Sequence, residues 1–364
     1  MRKIKLGDLC FSNASQLKTN PDTLIDYIDI SSVDNVSKMI TGYQTVMFDD
    51  APSRARKAVR KGSILVSMVR PNLNAVAVLE EDTPNVSVAS TGFCILDCKD
   101  NVDTRFVFNF CKSQAFIDAM VSQATGASYP AVSDRIIRSA LIPAYSYKQQ
   151  CDISNILDTI QVIIYKRKEE LQKLDELIKA RFVEMFGDPV SNSFGFLEST
   201  LPELGEFGRG VSKHRPRNDP KLLGGKYPLI QTGDVAAAEL YIKDYSSTYS
   251  ELGLSQSKMW DKGTLCITIA ANIAKTAILT FDACFPDSVV GFKANEKTSN
   301  IFMHYWFSFF QEILESQAPE SAQKNINLKI LSELKVITPN KALQDEFEMF
   351  VTQVDKSKVA VQMQ

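Results

Sequence analysis

Apolar and long side chains recur in alternating steps of four and three through the middle of the chain. They fall at Ile153, Leu157, Ile160, Ile164, Arg167, Leu171, Leu174, Ile178, Arg181 and Met185. A period of 3.5 sustained over this stretch is the pattern of a coiled-coil seam rather than of an ordinary core helix. It predicts one helix from about Tyr147 to Phe186, ended by Gly187, Asp188 and Pro189. At about 1.5 Å per residue such a helix is roughly 60 Å long. Arg167 and Arg181 occupy seam positions, where they either fix register at some cost in stability or run their stems along the seam edge. A rod of this kind is a spacer, and a spacer implies two bodies.

On both sides of the helix the pattern changes. Residues 64–69 and 265–269 are rich in β-branched side chains and fit strands. Residues 27–33 alternate like a strand, as do residues 229–235, and helical spacing follows at 106–116 and 301–313. An offset near 200 positions relates the two halves. Lys5–Leu9 (KLGDL) resembles Thr200–Leu204 (TLPEL), and KGSILVSMVR from Lys61 matches KGTLCITIAA from Lys262. The run AVAVL from Ala75 matches TAILT from Thr276, and Gly92–Phe93 corresponds to Gly291–Phe292.

Each half then carries a loop, a short apolar segment and a proline (Pro143, Pro339), after which a helix begins. The second helix places Leu343, Phe347, Phe350, Val354 and Val361 on the four-three spacing, with Ser357 at the missing step. Gln149 and Gln344 stand in the two opening turns. The order is therefore domain, helix, domain, helix, with boundaries at 1–143, 144–189, 190–339 and 340–364. Chance similarity between unrelated domains would not produce several ordered matches ending in the same junction. The fold class is α/β (α+β): two similar mixed domains separated by long helices with a coiled-coil pattern.

A chain of 364 residues with 45% hydrophobic content suits two ordinary domains plus a helix. No apolar run approaches the ~18 residues of a membrane span, and Met1–Arg2–Lys3 opens no signal peptide. The expected location is cytoplasmic, with no membrane partner. Seven cysteines, an odd number, suit a reducing compartment. Cys94 and Cys98 are closest in sequence, but the only histidines are His214 and His304, so structural thiols are a better reading than zinc. Trp260, Trp306, Phe307, Phe309 and Phe310 are expected in the core rather than on a ligand platform.

A net charge of −2 does not announce a nucleic-acid binder. Two basic runs stand out locally: Arg54, Arg56, Lys57, Arg60 and Lys61, and then Arg209, Lys213, His214, Arg215, Arg217 and Lys221. Each is either a solvated face or a phosphate site. The chain has no GxxxxGKS/T phosphate loop, no GxGxxG after a strand, no HExxH and no GxSxG. The Asn/Asp-Pro-Pro-Tyr/Phe segment of amino-methylating enzymes is also missing; Asn20–Pro21 and Asp219–Pro220 lack its second half. Two histidines leave little for a Ser/His or Cys/His nucleophile system. The pattern favours binding over catalysis.

Together, residues 171–189 (LQKLDELIKARFVEMFGDP), the doubled domain–helix order, LGDL near the start and AQKNIN at 322–327 resemble a specificity subunit of a type I restriction–modification system. The repeat covers nearly the whole chain, and LDELIKARFVEMFGDP is its most specific part. The resemblance implies a non-catalytic subunit whose two target-recognition domains each bind one half of a bipartite site on double-stranded DNA. It implies that the two helices pack antiparallel, set the gap between half-sites and dock modification (methyltransferase) subunits, with restriction subunits joining them. S-adenosylmethionine, ATP and magnesium would belong to those partners, with no cofactor in this chain. Two similar domains about an approximate two-fold axis suit successive major-groove faces, one to two turns apart.

For DNA contact the favoured positions are the loop with Thr125, Gly126, Ser128 and Tyr129 and its counterpart Gln323, Lys324 and Asn325. Strand-end groups come next: Ser31, Ser32, Arg70 and Asn72, with Gln231, Thr232 and Asn272 in the other half. Lys and Arg would hold phosphates, while Asn, Gln and Arg suit two-point bonds to base edges; each position is equally a turn or capping group. The second helix is short for the family, stopping at Val361–Gln364. This predicts that the seam of the first helix around Leu171 to Met185 lacks an intramolecular partner and is open to a homodimer. The remaining alternative is a non-enzymatic coiled-coil scaffold joining two ligand-binding domains.

Overall fold

The computed structural model describes residues 2–12, 17, 20–270, 273–316 and 326–363. The chain divides into two compact units, Met1–Tyr165 and Lys166–Gln364. The boundary lies within one continuous helix, Tyr147–Phe186, of 40 residues.

In the first unit, strand Lys3–Lys5 pairs antiparallel with Leu141–Pro143, bringing the two ends of the domain together. A four-stranded sheet runs in the order Gln44–Met47, Leu24–Ile28, Val86–Ser90, Ala55–Ala58, with its central pair parallel. A three-stranded antiparallel sheet has Ile64–Ser67 between Val76–Val78 and Phe93–Leu96. Strand Ile64–Ser67 is buried along its whole length, as its unbroken apolar run requires. Two helices stand where one helical stretch was expected at 106–116. Thr104–Lys112 and Gln114–Val121 break at Ser113, whose Oγ accepts the Phe116 N–H at 3.3 Å and starts a second helix.

The second unit repeats much of this order. Its five-stranded sheet runs Gly205–Arg209, Val289–Ala294, Leu265–Thr268, Thr276–Leu279, Tyr241–Ile242. Strand Glu198–Ser199 pairs antiparallel with Val336–Ile337, as Lys3–Lys5 does with Leu141–Pro143. The short helices Leu6–Leu9 and Leu201–Leu204 occupy the KLGDL and TLPEL matches. The matched runs at 27–33 and 229–235 differ from the expected strands. Each leaves its strand after one or two residues and turns helical, at Ile30–Ser32 and at Thr232–Ala237. The reason is local: Asp29 Oδ1 accepts the Ile30 N–H at 2.8 Å, and Asp234 Oδ2 accepts the Gln231 N–H at 2.8 Å.

Each long helix is anchored to its domain by a buried glutamine. Gln150 accepts the Asp103 N–H at 3.0 Å, and Gln344 donates to the carbonyls of Lys297 and Pro339. The counterpart of Gln344 is thus Gln150, one position beyond the expected Gln149. At its other end, the long helix stops because Gly187 adopts φ 70°, while its N–H still reaches the Val183 carbonyl at 2.8 Å. Asp188 then accepts from Val190 N–H and Ser191 and turns the chain away.

The final helix, Lys341–Met363, packs on the second half of the long helix within the second unit. Phe347 lies against Phe182 and Phe186, Arg181 against Glu346, and Asp175 against Lys358. One series rises as the other falls, so the two segments are antiparallel. This reverses the expectation about the uncovered seam. Leu174, Ile178, Phe182 and Met185 are packed in the core, while Ile156, Leu157, Ile160, Ile163, Ile164 and Tyr165 are exposed. In an antiparallel pair the start of the second helix meets the end of the first, so Lys341–Met363 covers the Leu174–Met185 half.

Trp260, Trp306 and Phe307 are fully buried, and Phe309 and Phe310 pack partly buried on the core. Phe182 touches Phe186, Phe302, Phe309 and Phe347, with ring centroids 4.8 to 5.4 Å apart. Each buried aromatic of this kind contributes roughly 1.5–3 kcal/mol. Cys10, Cys94, Cys111, Cys266 and Cys284 are buried free thiols, and Cys98 and Cys151 are partly so.

Candidate nucleic-acid interface

In the first unit, strand Ile64–Ser67 runs out into the short turn Pro71–Leu73. The residues bracketing that turn, Arg70 and Asn74, have φ of 50° and 48°, the left-handed region that side chains with a Cβ rarely adopt. Neighbouring groups hold them there. The Arg70 N–H donates to the Pro130 carbonyl at 2.7 Å, and Asn74 Nδ2 donates to the Cys111 carbonyl at 3.0 Å. Lys38 Nζ donates to Asn74 at both its carbonyl, 2.5 Å, and its Oδ1, 2.9 Å.

Val69 bridges Ala131, and Thr125 bridges the same residue, so the loop at 125–131 lies against the end of the strand. Gly126 has φ 101°, and a Cβ there would stand 2.8 Å from the Tyr129 carbonyl; the tight turn requires glycine. As a result, the Arg70 guanidinium sits over the Tyr129 ring at 4.9 Å from its centroid. Arg70, Asn72, Thr125, Gly126, Ser128 and Tyr129 are all exposed, on one edge of the unit.

Ser31 and Ser32 lie on the neighbouring turn Ile30–Ser32, where the Ser32 carbonyl accepts from Thr41 N–H at 2.8 Å. Only Ser31 is fully exposed; Ser32 is partly buried. Lys38, two residues before Ile40, connects this segment to the Arg70 turn. The structure therefore brings together the first-half candidates, through two residues the sequence reading missed, Lys38 and Asn74. No local pattern marks Lys38, because its partner is 36 positions away.

The second unit shows less. Gln231 is exposed and starts the helix Thr232–Ala237 in a capping box with Asp234, and its Nε2 lies 3.5 Å from Ser247 Oγ. Thr232 is the first residue of that helix and is partly buried. Asn272, Gln323, Lys324 and Asn325 lie outside the described residues.

The basic runs are largely engaged within the protein. Arg54 pairs with Asp29 at 2.7 Å and donates to Tyr27 Oη, and Arg56 stands over Phe48. Lys57 donates to the Phe93 carbonyl at 2.6 Å and lies 3.6 Å from Asp134, and Lys61 pairs with Glu81. In the second run, Arg215 and Arg217 both meet Asp287, and His214 meets Asp219 at 3.1 Å. These contacts give Lys57 and Arg217 structural partners, while the exposed Arg70 rests on the Tyr129 ring. Among the described residues, no three His, Cys, Asp or Glu side chains are placed to hold a metal ion. No helix among them is long and apolar enough to cross a membrane.

An exposed guanidinium on an aromatic face, beside amide and hydroxyl groups on constrained backbone, can bind phosphate or a base edge. It is carried on one of two mixed α/β units joined by a long helix. Residues 196–363 match the model of the type I restriction modification DNA specificity domain. Over those residues the comparison agrees with the resemblance drawn from the sequence to type I restriction–modification specificity subunits.

Among curated proteins, the chain is 23% identical over 190 residues to the Type I restriction enzyme HindI specificity subunit of Haemophilus influenzae. That alignment covers 51% of this chain and spans 41% of the relative's length. In fold, a chain from a structure on complex assembly and conformational transition of the type I R-M system matches at TM-score 0.64 and 21% identity, covering 100% of this chain and 92% of that one. The type I restriction–modification S subunit from M. genitalium matches at TM-score 0.56 and 14% identity, covering 100% and 91%.

Proposed function

We propose that this chain is the sequence-reading, non-catalytic subunit of a type I restriction–modification complex. It recognises a bipartite target on double-stranded DNA, one half-site per domain, and directs partner subunits to adenine methylation and restriction. The observation that carries this reading is the exposed Arg70–Tyr129 pair beside Asn72, with the Arg70 backbone held at φ 50° by its bond to the Pro130 carbonyl. Preorganised donors beside an aromatic face suit a base edge or phosphate rather than a fold-internal role.

S-adenosylmethionine, ATP and magnesium act on the modification and restriction subunits, in the cytoplasm. The exposed stripe at Ile156, Ile160, Ile163 and Ile164 suits a helical partner. The modification subunits are the proposed occupants, and a second copy of this chain is the competing one, separable by sedimentation of the chain alone.

The test is to assemble the chain with its methyltransferase partner and sequence the methylome of a host expressing both. Adenine methylation at a split motif with a fixed gap is the expected result. Methylation without a gapped consensus, or no complex at all, returns the chain to the scaffold reading.

A further inference from the structure

The turn at residues 34–40 in the first unit is rigid and apolar at its tip. Asp34 Oδ1 accepts the N–H groups of Val36 at 2.7 Å and Ser37 at 2.6 Å. Asp34 N–H donates to the Met39 carbonyl, Lys38 N–H to the Asp34 carbonyl, both at 3.0 Å, and Val33 bridges Ile40. On this fixed frame Val36 is 92% exposed and Met39 60% exposed. Leu73 and Tyr129, at 45% and 68%, are exposed on the Arg70 edge to which Lys38 binds. Single exposed apolar residues are ordinary, but these two stand on one braced turn that Lys38 ties to Asn74, the residue closing the Pro71–Leu73 turn that Arg70 opens.

We infer that the turn at 34–40 is a DNA-reading element acting beside Arg70, and that Lys38 is the positioning residue joining the two loops. The inference rests on the proposed function. Arg70 and Asn72 supply hydrogen bonds to base edges, and Val36 and Met39 supply the apolar contact that recognises a thymine methyl group. Lys38 itself adopts φ 59°. Its ammonium is spent on Asn74, so it acts through the Pro71–Leu73 turn rather than on DNA.

The experiment uses the assembled methyltransferase complex and duplexes carrying its methylome-defined target. Variants are Val36→Ser/Met39→Ser, Lys38→Met and Lys38→Arg. The first unit's half-site should contain a thymine whose replacement by uracil, which lacks only the methyl group, weakens wild-type binding. In the Val36→Ser/Met39→Ser variant, that sensitivity should vanish and discrimination at the position should fall roughly tenfold. The other half-site and the salt slope should stay unchanged, because no phosphate contact is lost. Lys38→Met should relax the same half-site, and Lys38→Arg should recover it.

Wild-type preference in the double-serine variant, a loss spread over all sequences, or a half-site without an A·T pair overturns the inference alone. A wild-type complex without a gapped consensus sinks the proposed function, and that is visible before any variant is made.

Discussion

Arg181 Nη2 donates to Glu346 Oε1 at 2.8 Å, joining two helices across 165 positions of sequence. The same guanidinium donates to Glu184 at 2.9 Å and lies 5.8 Å from the Phe350 ring centroid. A cation at a seam position therefore has a partner at one register only, which is how such residues specify alignment. Glu346→Lys should lower the thermal midpoint of the full chain. Adding Arg181→Glu should restore part of the loss, a recovery that a cation merely lying along the seam edge would not give.

The packed and exposed halves of the long helix should respond differently to truncation. Phe182→Ala removes a fully buried ring from the five-aromatic cluster and should cost about 3–5 kcal/mol in urea unfolding. Ile160, at 46% exposure, should tolerate alanine within about 0.5 kcal/mol in the isolated chain. The same Ile160→Ala change should weaken assembly with the partner subunits if they cover this stripe.

His304 makes the second unit sensitive to acid. Burial, with Lys358 adding repulsion, pushes its pKa down from 6.5 to about 4, and Thr276 Oγ1 lies 2.9 Å from Nδ1. Above pH 6.5 both folded and unfolded states hold a neutral imidazole, so the stability is fully present. As pH falls toward 4, the unfolded chain takes a proton that the native state refuses, and stability drops. By pH 5 the loss from this residue should be about 2 kcal/mol. His304→Gln should flatten that part of a urea-midpoint profile between pH 7 and 5.

Cys10 and Cys98 face each other across an antiparallel bridge. The flanking bonds, Phe11 N–H to the Asp97 carbonyl and Lys99 N–H to the Leu9 carbonyl, make this a non-hydrogen-bonded pair, the closer of the two geometries. A hydrogen bond from Cys98 lowers the Cys10 thiol's pKa. Oxidised glutathione should convert the two thiols to a disulfide and release two glutathione thiols. Peptide mapping should show the Cys10–Cys98 link in the wild type and lose it in Cys98→Ser.

At the recognition edge, Arg70→Ala and Tyr129→Ala should each weaken DNA binding by the complex, roughly tenfold or more where a base contact is lost. Binding across a salt series separates the two modes of contact. A slope reduced by about one marks a phosphate contact for Arg70, whereas an unchanged slope with relaxed sequence preference marks a base contact. Unchanged affinity, preference and slope in both variants would remove this edge from the interface.

Local pattern carried the long helix to its bounds, Tyr147–Phe186, because a heptad series and a Gly-Asp-Pro stop are both short-range signals. The buried strands Ile64–Ser67 and Leu265–Thr268 were legible for the same reason. Residues 27–33 and 229–235 were harder. There an alternating run continues past the point where Asp29 and Asp234 hydrogen bonds turn the backbone helical. Periodicity also could not say which half of the long helix is covered, since a seam looks alike from either end. Gln149 and Gln150 differ by one step, and only packing shows that Gln150 faces the domain.

The sequence by itself determined the mixed α/β class, the long helix and the resemblance to specificity subunits, because these rest on hydrophobic period and on residues close along the chain. Tertiary structure decided which seam residues are buried, and which of the basic side chains are already paired. It also decided that Arg70, Tyr129, Lys38 and Asn74 share one edge. Those outcomes depend on contacts between positions far apart in sequence, where hydrogen bonds and burial, not local propensity, select the conformation.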